Sequence, residues 1–296
     1  MILNLDNEID KKISEFFPKE VIDNIKPEIN DYLGMNITTD SETDIAFKIY
    51  YGNEHSKEQY EKSGQDPLIN FLYEKDMISF LTMVHDKNNN ECTRFDIGLQ
   101  CRNNSNMESL FSWLEQNVSF WGKYKDEILK LSKMKASMMD DYDYSSLFFL
   151  GFVKDKTGIK TLKCHWLNKN REGHEIFNDD YFIDFIKESG VVKLQELVPY
   201  AQSSILNCGR HMWMEGIDYN EKCSEKHKIY IDYPQNFFDG ILKSIPENAE
   251  FERKINLIRG WYEIHPEFYI DGFAIGKNIK DNLTLNIYFK LKVENN

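Results

Sequence analysis

The chain reads as an α+β fold, an antiparallel β-barrel of about ten strands built from repeated ββαα units and surrounded by helices. Three features predict it. Aromatic-rich runs with period-2 alternation come in pairs across short polar turns. Helical stretches separate the pairs, at a spacing of roughly sixty residues. And five hairpins of like construction would leave long unpaired edges unless the sheet closed on itself. No linker rich in Gly, Pro or Ser interrupts the cycle, so residues 1–296 read as one domain, with an N-terminal helical segment at 1–32 and the barrel with its outer helices at 33–292.

From Asn7 to Tyr32 the pattern is helical, with Ile9, Ile13, Phe16 and Phe17, then Val21, Ile22, Ile25 and Ile29; Pro18 and Pro27 cut it into short pieces. The first hairpin pairs Gly34–Thr38 with Ile45–Tyr51 across Thr39-Asp40-Ser41-Glu42. The second pairs Met77–His85 with Cys92–Cys101. Ser105-Asn106-Met107-Glu108 is a capping box that opens a helix through Leu110, Phe111, Leu114 and Val118. The third hairpin joins Leu147–Val153 to Lys160–Leu167, and Asp180 to Ser189 repeats the helical pattern. The fourth joins His211–Asp218 to His227–Asp232. Helical stretches over Asn236–Ile245 and Phe251–Trp261, divided at Pro246, lead to the fifth, Phe268–Ile275 with Leu283–Leu291.

Composition narrows the function. A formal charge of −13 repels phosphate backbones, which argues against general nucleic-acid binding. No run approaches about eighteen apolar residues, so no segment is expected to span a membrane. The opening Met-Ile-Leu-Asn-Leu-Asp lacks the basic and apolar regions of a signal peptide. Cys92, Cys101, Cys164, Cys208 and Cys223 form neither a CxxC pair nor a disulfide framework, so a reduced, cytoplasmic setting is expected.

The second strand of each hairpin carries the sharper signal, because successive side chains alternate between its faces. Phe95, Ile97 and Leu99 oppose Arg94, Asp96 and Gly98; Leu162, Cys164 and Trp166 oppose Thr161, Lys163 and His165. Ile229 and Ile231 oppose Lys228, Tyr230 and Asp232, and Leu285, Ile287 and Phe289 oppose Asn286, Tyr288 and Lys290. Phe47 and Ile49 likewise oppose Lys48 and Tyr50. A half-exposed antiparallel sheet would explain any one of these strands. The set has another property: the polar faces put cations two residues from tyrosines (Lys48/Tyr50, Lys228/Tyr230, Tyr288/Lys290) in a chain that is otherwise acidic.

A closed barrel turns those faces inward. About ten strands are too many for side chains alone to fill the interior, so a ligand chamber results. It would hold Lys48, Arg94, Lys163, His165, Lys228 and Lys290 among Tyr50, Tyr230, Tyr288 and Trp213. Cations suit a diphosphate, and aromatic faces suit a carbocation beside it. An anion next to a carbocation is the signature of an allylic diphosphate undergoing ionisation.

Ser145-Ser146-Leu147-Phe148-Phe149-Leu150-Gly151, Met214-Glu215-Gly216-Ile217-Asp218-Tyr219, Lys228-Ile229-Tyr230 and the closing Leu285-Asn286-Ile287-Tyr288-Phe289-Lys290-Leu291 resemble segments of the ABBA prenyltransferases. The likeness is greatest to the cyanobactin-type peptide prenyltransferases, and it rests on repeat order from Gly34 onward more than on identity. It implies a ten-stranded barrel enzyme that transfers a dimethylallyl group from its diphosphate to a ribosomal, macrocyclic peptide, as a monomer, with Mg²⁺ carried by the diphosphate. Arg94, Lys163 and Lys228, with Lys48, Lys290 and His165, would hold the diphosphate. Tyr50, Tyr230 and Tyr288 would shield the cation. The cyanobactin-type enzymes use a glutamate on the first barrel strand as base, and Met35-Asn36-Ile37-Thr38 has none. Glu215 is the first replacement, inward with His211 and Trp213 if Met212 and Met214 face the helices. Asp96 is the second, and Asp40 or Asp44 follow if the register differs.

Two other readings stand beside this one. The same barrel accepts a small phenol or indole in other ABBA enzymes, where a C-terminal helix caps the mouth; here the sequence ends about five residues past Leu291, which favours the peptide. A non-catalytic barrel binding a lipid would need no inward cations. Asp179-Asp180-Tyr181-Phe182-Ile183-Asp184 is spaced wrongly for a Mg²⁺-binding aspartate motif and reads as a helix start. Cys223 with His227, and Cys164 beside His165, lack the partners of a zinc site.

Overall fold

The computed structural model describes residues 3–25, 31–42, 44–63, 66–86, 94–99, 104–137, 147–169, 212–222, 224–232, 237–244, 247–277 and 282–292. Its centre is the expected barrel. The strands are β1 (Tyr32–Thr38), β2 (Ala46–Tyr51), β3 (Ile78–Asp86), β4 (Arg94–Leu99), β5 (Leu147–Asp155), β6 (Gly158–Lys169), β7 (Met212–Asn220), β8 (Ser224–Asp232), β9 (Phe268–Lys277) and β10 (Leu283–Leu291). Each pairs antiparallel with its chain neighbours, and β1 pairs with both β2 and β10, which closes the sheet and leaves it no edge.

The described helices are α1 (Glu8–Phe16), α2 (Lys19–Asp23), α3 (Asn53–Ser63), α4 (Pro67–Glu74), α5 (Asn104–Asn117), α6 (Trp121–Ser137), α7 (Phe237–Ser244) and α8 (Ala249–Ile264). Local chemistry starts them. The Asn7 side chain accepts from the amides of Ile9 and Asp10 to open α1. Asp66 does the same for Leu68 and Ile69 before Pro67, which fits the first turn of α4 because its missing N–H has no partner to lose there. The capping box falls at the start of α5, one residue inside its first residue. The segment Asp180 to Ser189 lies outside the described residues.

Register shows which side of the barrel each residue takes. Met35, Phe47, Ile49, Ile97, Leu150, Leu162, Cys164, Trp166, Ile275, Leu285 and Ile287 are buried together on the outer face. Helices cover that face. Trp166 Nε1 donates to Ser132 Oγ of α6 at 3.1 Å, and the Tyr219 hydroxyl reaches Glu127 of α6 at 3.2 Å. Trp261 of α8 meets Phe289 edge-on, ring centres 5.2 Å apart. The main core therefore lies between sheet and helices, and the opposite face of the strands is left to the lumen.

Several elements differ from expectation. Tyr32 begins β1 rather than ending a helical segment. Between the first and second hairpins α3 and α4, and between the second and third α6, occupy stretches to which the sequence assigned no individual helix, and β8 begins at Ser224 rather than His227. No helix of the described residues is long and apolar enough to cross a membrane.

Candidate active site

One inner row runs in register across four strands: Asp96 of β4, Gly151 of β5, Lys163 of β6 and Asp218 of β7. Arg94 and His165 stand two residues from Asp96 and Lys163 on the same face. Arg94 Nη2 donates to Asp96 Oδ2 at 2.9 Å, and Lys163 Nζ donates to Asp218 Oδ2. All five charged or titratable side chains are buried. Gly151 makes the convergence feasible. A Cβ there would sit 2.3 Å from Asp96 Oδ1 and 3.1 Å from Lys163 Cβ, so the side chains on either side meet in the space glycine leaves.

Burial pushes the Asp96 carboxyl up, but Arg94, then His165 and Lys163, outweigh burial and hold it below the usual carboxylate range. Asp96 is therefore ionised at neutral pH. Its Oδ1 accepts no hydrogen bond among the described residues.

The tyrosines form the adjoining wall. Tyr32 and Tyr50 stack with centres 4.4 Å apart and planes 5° apart, and Tyr288 meets both edge-on at 6.0 and 5.9 Å. Gly34 permits this, because a Cβ there would meet Tyr50 Cε2 at 2.8 Å. The wall joins the charged row through Arg94, whose guanidinium carbon lies 5.7 Å from the Tyr50 ring centre. Lys290 Nζ lies 6.0 Å from the Tyr32 ring centre and 3.1 Å from Asp271 Oδ2. Burial, then Tyr50 and Asp96, push the Tyr32 phenol far up, so the hydroxyl stays neutral.

The structure thus brings Arg94, Asp96, Lys163, His165, Tyr50, Tyr288 and Lys290 to one interior. Lys48 takes an inner register position between Gly34 and Asp86. Lys228 pairs with Gly216 and Gly276, and Tyr230 with Met214 and Ala274, so both positions belong to inner rows. Trp213 and Glu215 do not. Position 215 stands in register with Trp166 and Ile229, and position 213 with Asn168, on the outer face of β7. The expectation that Met212 and Met214 face the helices is corrected accordingly: they take the inner positions, beside Lys169 and Leu167 in register. The cause is a strand with apolar residues on both faces, where a shift of one residue exchanges the faces. Asp44 pairs with Lys12 of α1 at 2.8 Å, and Asp40 lies in the β1–β2 turn, where its carbonyl accepts from Lys254; neither belongs to the inner rows. His211 lies outside the described residues.

Sequence reasoning missed Asp218, Tyr32 and Asn36, and it placed Asn286 on the polar face without giving it a role. Asn36 occupies the inner face of the first barrel strand and donates to Asn286 Oδ1 at 2.8 Å. Asp218 was detectable, since Ile217 and Tyr219 alternate with Gly216 and Asp218 as an outer face alternates with an inner one.

Among the described residues no three His, Cys, Asp or Glu side chains gather as metal ligands. Among the described side chains, Asp96, Asp218 and Asp271 are each engaged by a cation. These groups suit an anion, and the expected magnesium ion would be carried by that anion's oxygens.

No protein-family model matches the chain, and no curated protein matches it in sequence. Solved structures match it in fold. AnaPT from Neosartorya fischeri superposes with a TM-score of 0.53 at 8% identity, over 89% of this chain and 80% of that one. The NotF prenyltransferase, in its complex with brevianamide F and DMSPP, superposes with a TM-score of 0.54 at 8% identity, over the same shares. The ten-stranded barrel expected from the ABBA resemblance is the fold this chain shares with them.

Proposed function

We propose that this protein is a prenyltransferase that moves a dimethylallyl group from its diphosphate to an aromatic nucleophile inside the barrel. The observation that carries the reading is the junction of the buried Arg94–Lys163 group with the tyrosine wall, joined where Arg94 lies over Tyr50. An anion site and a cation-stabilising surface share one enclosed space.

In this reading Arg94, Lys163 and His165 bind the diphosphate, with Lys48 and Lys290, and with Lys228 from its inner register position, assisting. The carbon–oxygen bond of the allylic ester breaks, and its electron pair leaves with the diphosphate, whose growing charge the cations stabilise. Tyr32, Tyr50 and Tyr288 shield the allyl cation from water, and Tyr230, at an inner register position of β8, is proposed to join them. The acceptor ring attacks the cation, a new bond to carbon forms, and the ring proton passes to Asp96 Oδ1. General-base help of this kind supplies about 10²–10⁴ of the rate. Magnesium enters only as a counter-ion of the diphosphate.

The acceptor ring is carried by a peptide side chain, as the cyanobactin likeness implies, or by a small molecule. NotF, solved with brevianamide F and DMSPP, supports an aromatic acceptor in this fold. The ten strands of a single chain close the barrel, and the active form is proposed to be a monomer. A lipid-binding barrel fits poorly, because ion pairs line the interior.

Incubation with dimethylallyl diphosphate and two panels, macrocyclic and linear peptides on one side and free phenols and indoles on the other, tests the proposal by mass spectrometry. A product heavier by one dimethylallyl group supports it, and the productive panel identifies the acceptor class. No product from either panel, with no slow hydrolysis of the diphosphate, would count against it.

A further inference from the structure

We infer that Asp218 is a positioning residue for product release: it competes with diphosphate for the Lys163 ammonium, and takes that ammonium back when the product leaves. The inference rests on the prenyl-transfer reading of the same site.

Lys163 does not wait in the lumen as a bare cation. Its register partner on β7 is Asp218, which is 4% exposed and accepts directly from Nζ. On its other side the space over Gly151 brings Asp96 Oδ1 toward the aliphatic stem of Lys163. The buried ammonium is thus paired with one carboxylate, with a second carboxylate in the same inner row. A buried ion pair is weak evidence of stabilisation, since apolar packing of equal volume often does as well. This pair also points away from the helices, toward the lumen.

A carboxylate beside an anion site has a definite electrostatic effect. In a desolvated interior two like charges a few ångströms apart repel strongly, so bound diphosphate and an unmoved Asp218 oppose one another. After transfer, the product diphosphate carries more charge than its ester did, and cations alone would hold it tightly. With Asp218 present, its departure leaves Lys163 paired rather than stranded, and a stranded buried charge is the costly outcome. Release is a common slow step in enzymes that bind their products well. Asp218 thus lowers the affinity for diphosphate and speeds its exit.

Inorganic pyrophosphate titrated calorimetrically into the full chain tests this without any acceptor. Asp218→Asn, which keeps the shape and loses the charge, is expected to bind pyrophosphate about tenfold more tightly than wild type. Under turnover, inhibition by added pyrophosphate should tighten by the same factor while kcat falls. Asp218→Ser serves as a second variant should the first fold poorly, and it should move affinity in the same direction. A residue that merely orders Lys163 would weaken binding when removed. Wild type that binds pyrophosphate, with variants that bind it equally or more weakly, overturns the inference and leaves the prenyl-transfer reading standing. Wild type that does not bind pyrophosphate overturns both.

Discussion

Two buried lysines show how the molecule separates architecture from chemistry. Lys254 of α8 is fully buried on the outer side of the barrel, where Nζ donates to the carbonyls of Thr38 at 3.2 Å and Asp40 at 2.8 Å. It ties a helix to the turn between β1 and β2. Burial draws this ammonium below the ordinary lysine range, and Glu250 and Asp44 offset only part of that. Lys163 is 8% exposed on the inner side, and its partner is a carboxylate. Two backbone carbonyls, with Glu250 Oε1 at 3.8 Å, fix Lys254 in place on the helix side of the sheet. A carboxylate in a lumen leaves the ammonium ready for a competing anion. In the proposed reading the same residue type is thus a fastening on one face of the sheet and a binding group on the other.

Substitutions can break that contrast. Lys163→Ala should have the largest effect, a loss of about 10³ in kcat for dimethylallyl transfer, because one of the charges opposing the leaving group is gone. Asp96→Asn should follow, with a loss of about 10² in kcat. Its pH dependence sharpens the assignment. The folded-state pKa of Asp96 is depressed, so its contribution to stability is complete above the ordinary carboxylate pKa of about 4 and fades as pH falls through the lower folded value. Thermal unfolding of wild type and Asp96→Asn should therefore converge in acid and diverge toward neutral pH. Lys254→Met should invert the pattern, with about 2 kcal/mol lost in denaturant unfolding and kcat per folded molecule unchanged. Glu215→Gln, on the outer face, should change kcat by less than about twofold. A loss there as large as that of Asp96→Asn would return the base to β7.

Much of this was legible before coordinates. The second strands of the hairpins announced their inner faces because cations and tyrosines alternate with unbroken apolar sets, as at Arg94 to Leu99 and Leu283 to Leu291. Strand β7 was not legible in the same way: Met212 and Met214 are as apolar as Trp213 and Ile217, so periodicity gave no preference and the register from β6 decided. Tyr32 was hidden by a helical pattern that runs up to it. Asp218 shows a different limit. Alternation could place it on the inner face, but that it grips Lys163 depends on a long-range pairing between β6 and β7, which are far apart in the chain.

The central claim is that inner-face cations of different strands act on one diphosphate. The direct measurement is calorimetric titration of wild type, Arg94→Ala, Lys163→Ala and Lys254→Met with DMSPP, dimethylallyl S-thiolodiphosphate. The account predicts that wild type and Lys254→Met bind alike, and that each inner variant binds at least about tenfold more weakly. Equal binding by all four proteins would contradict it.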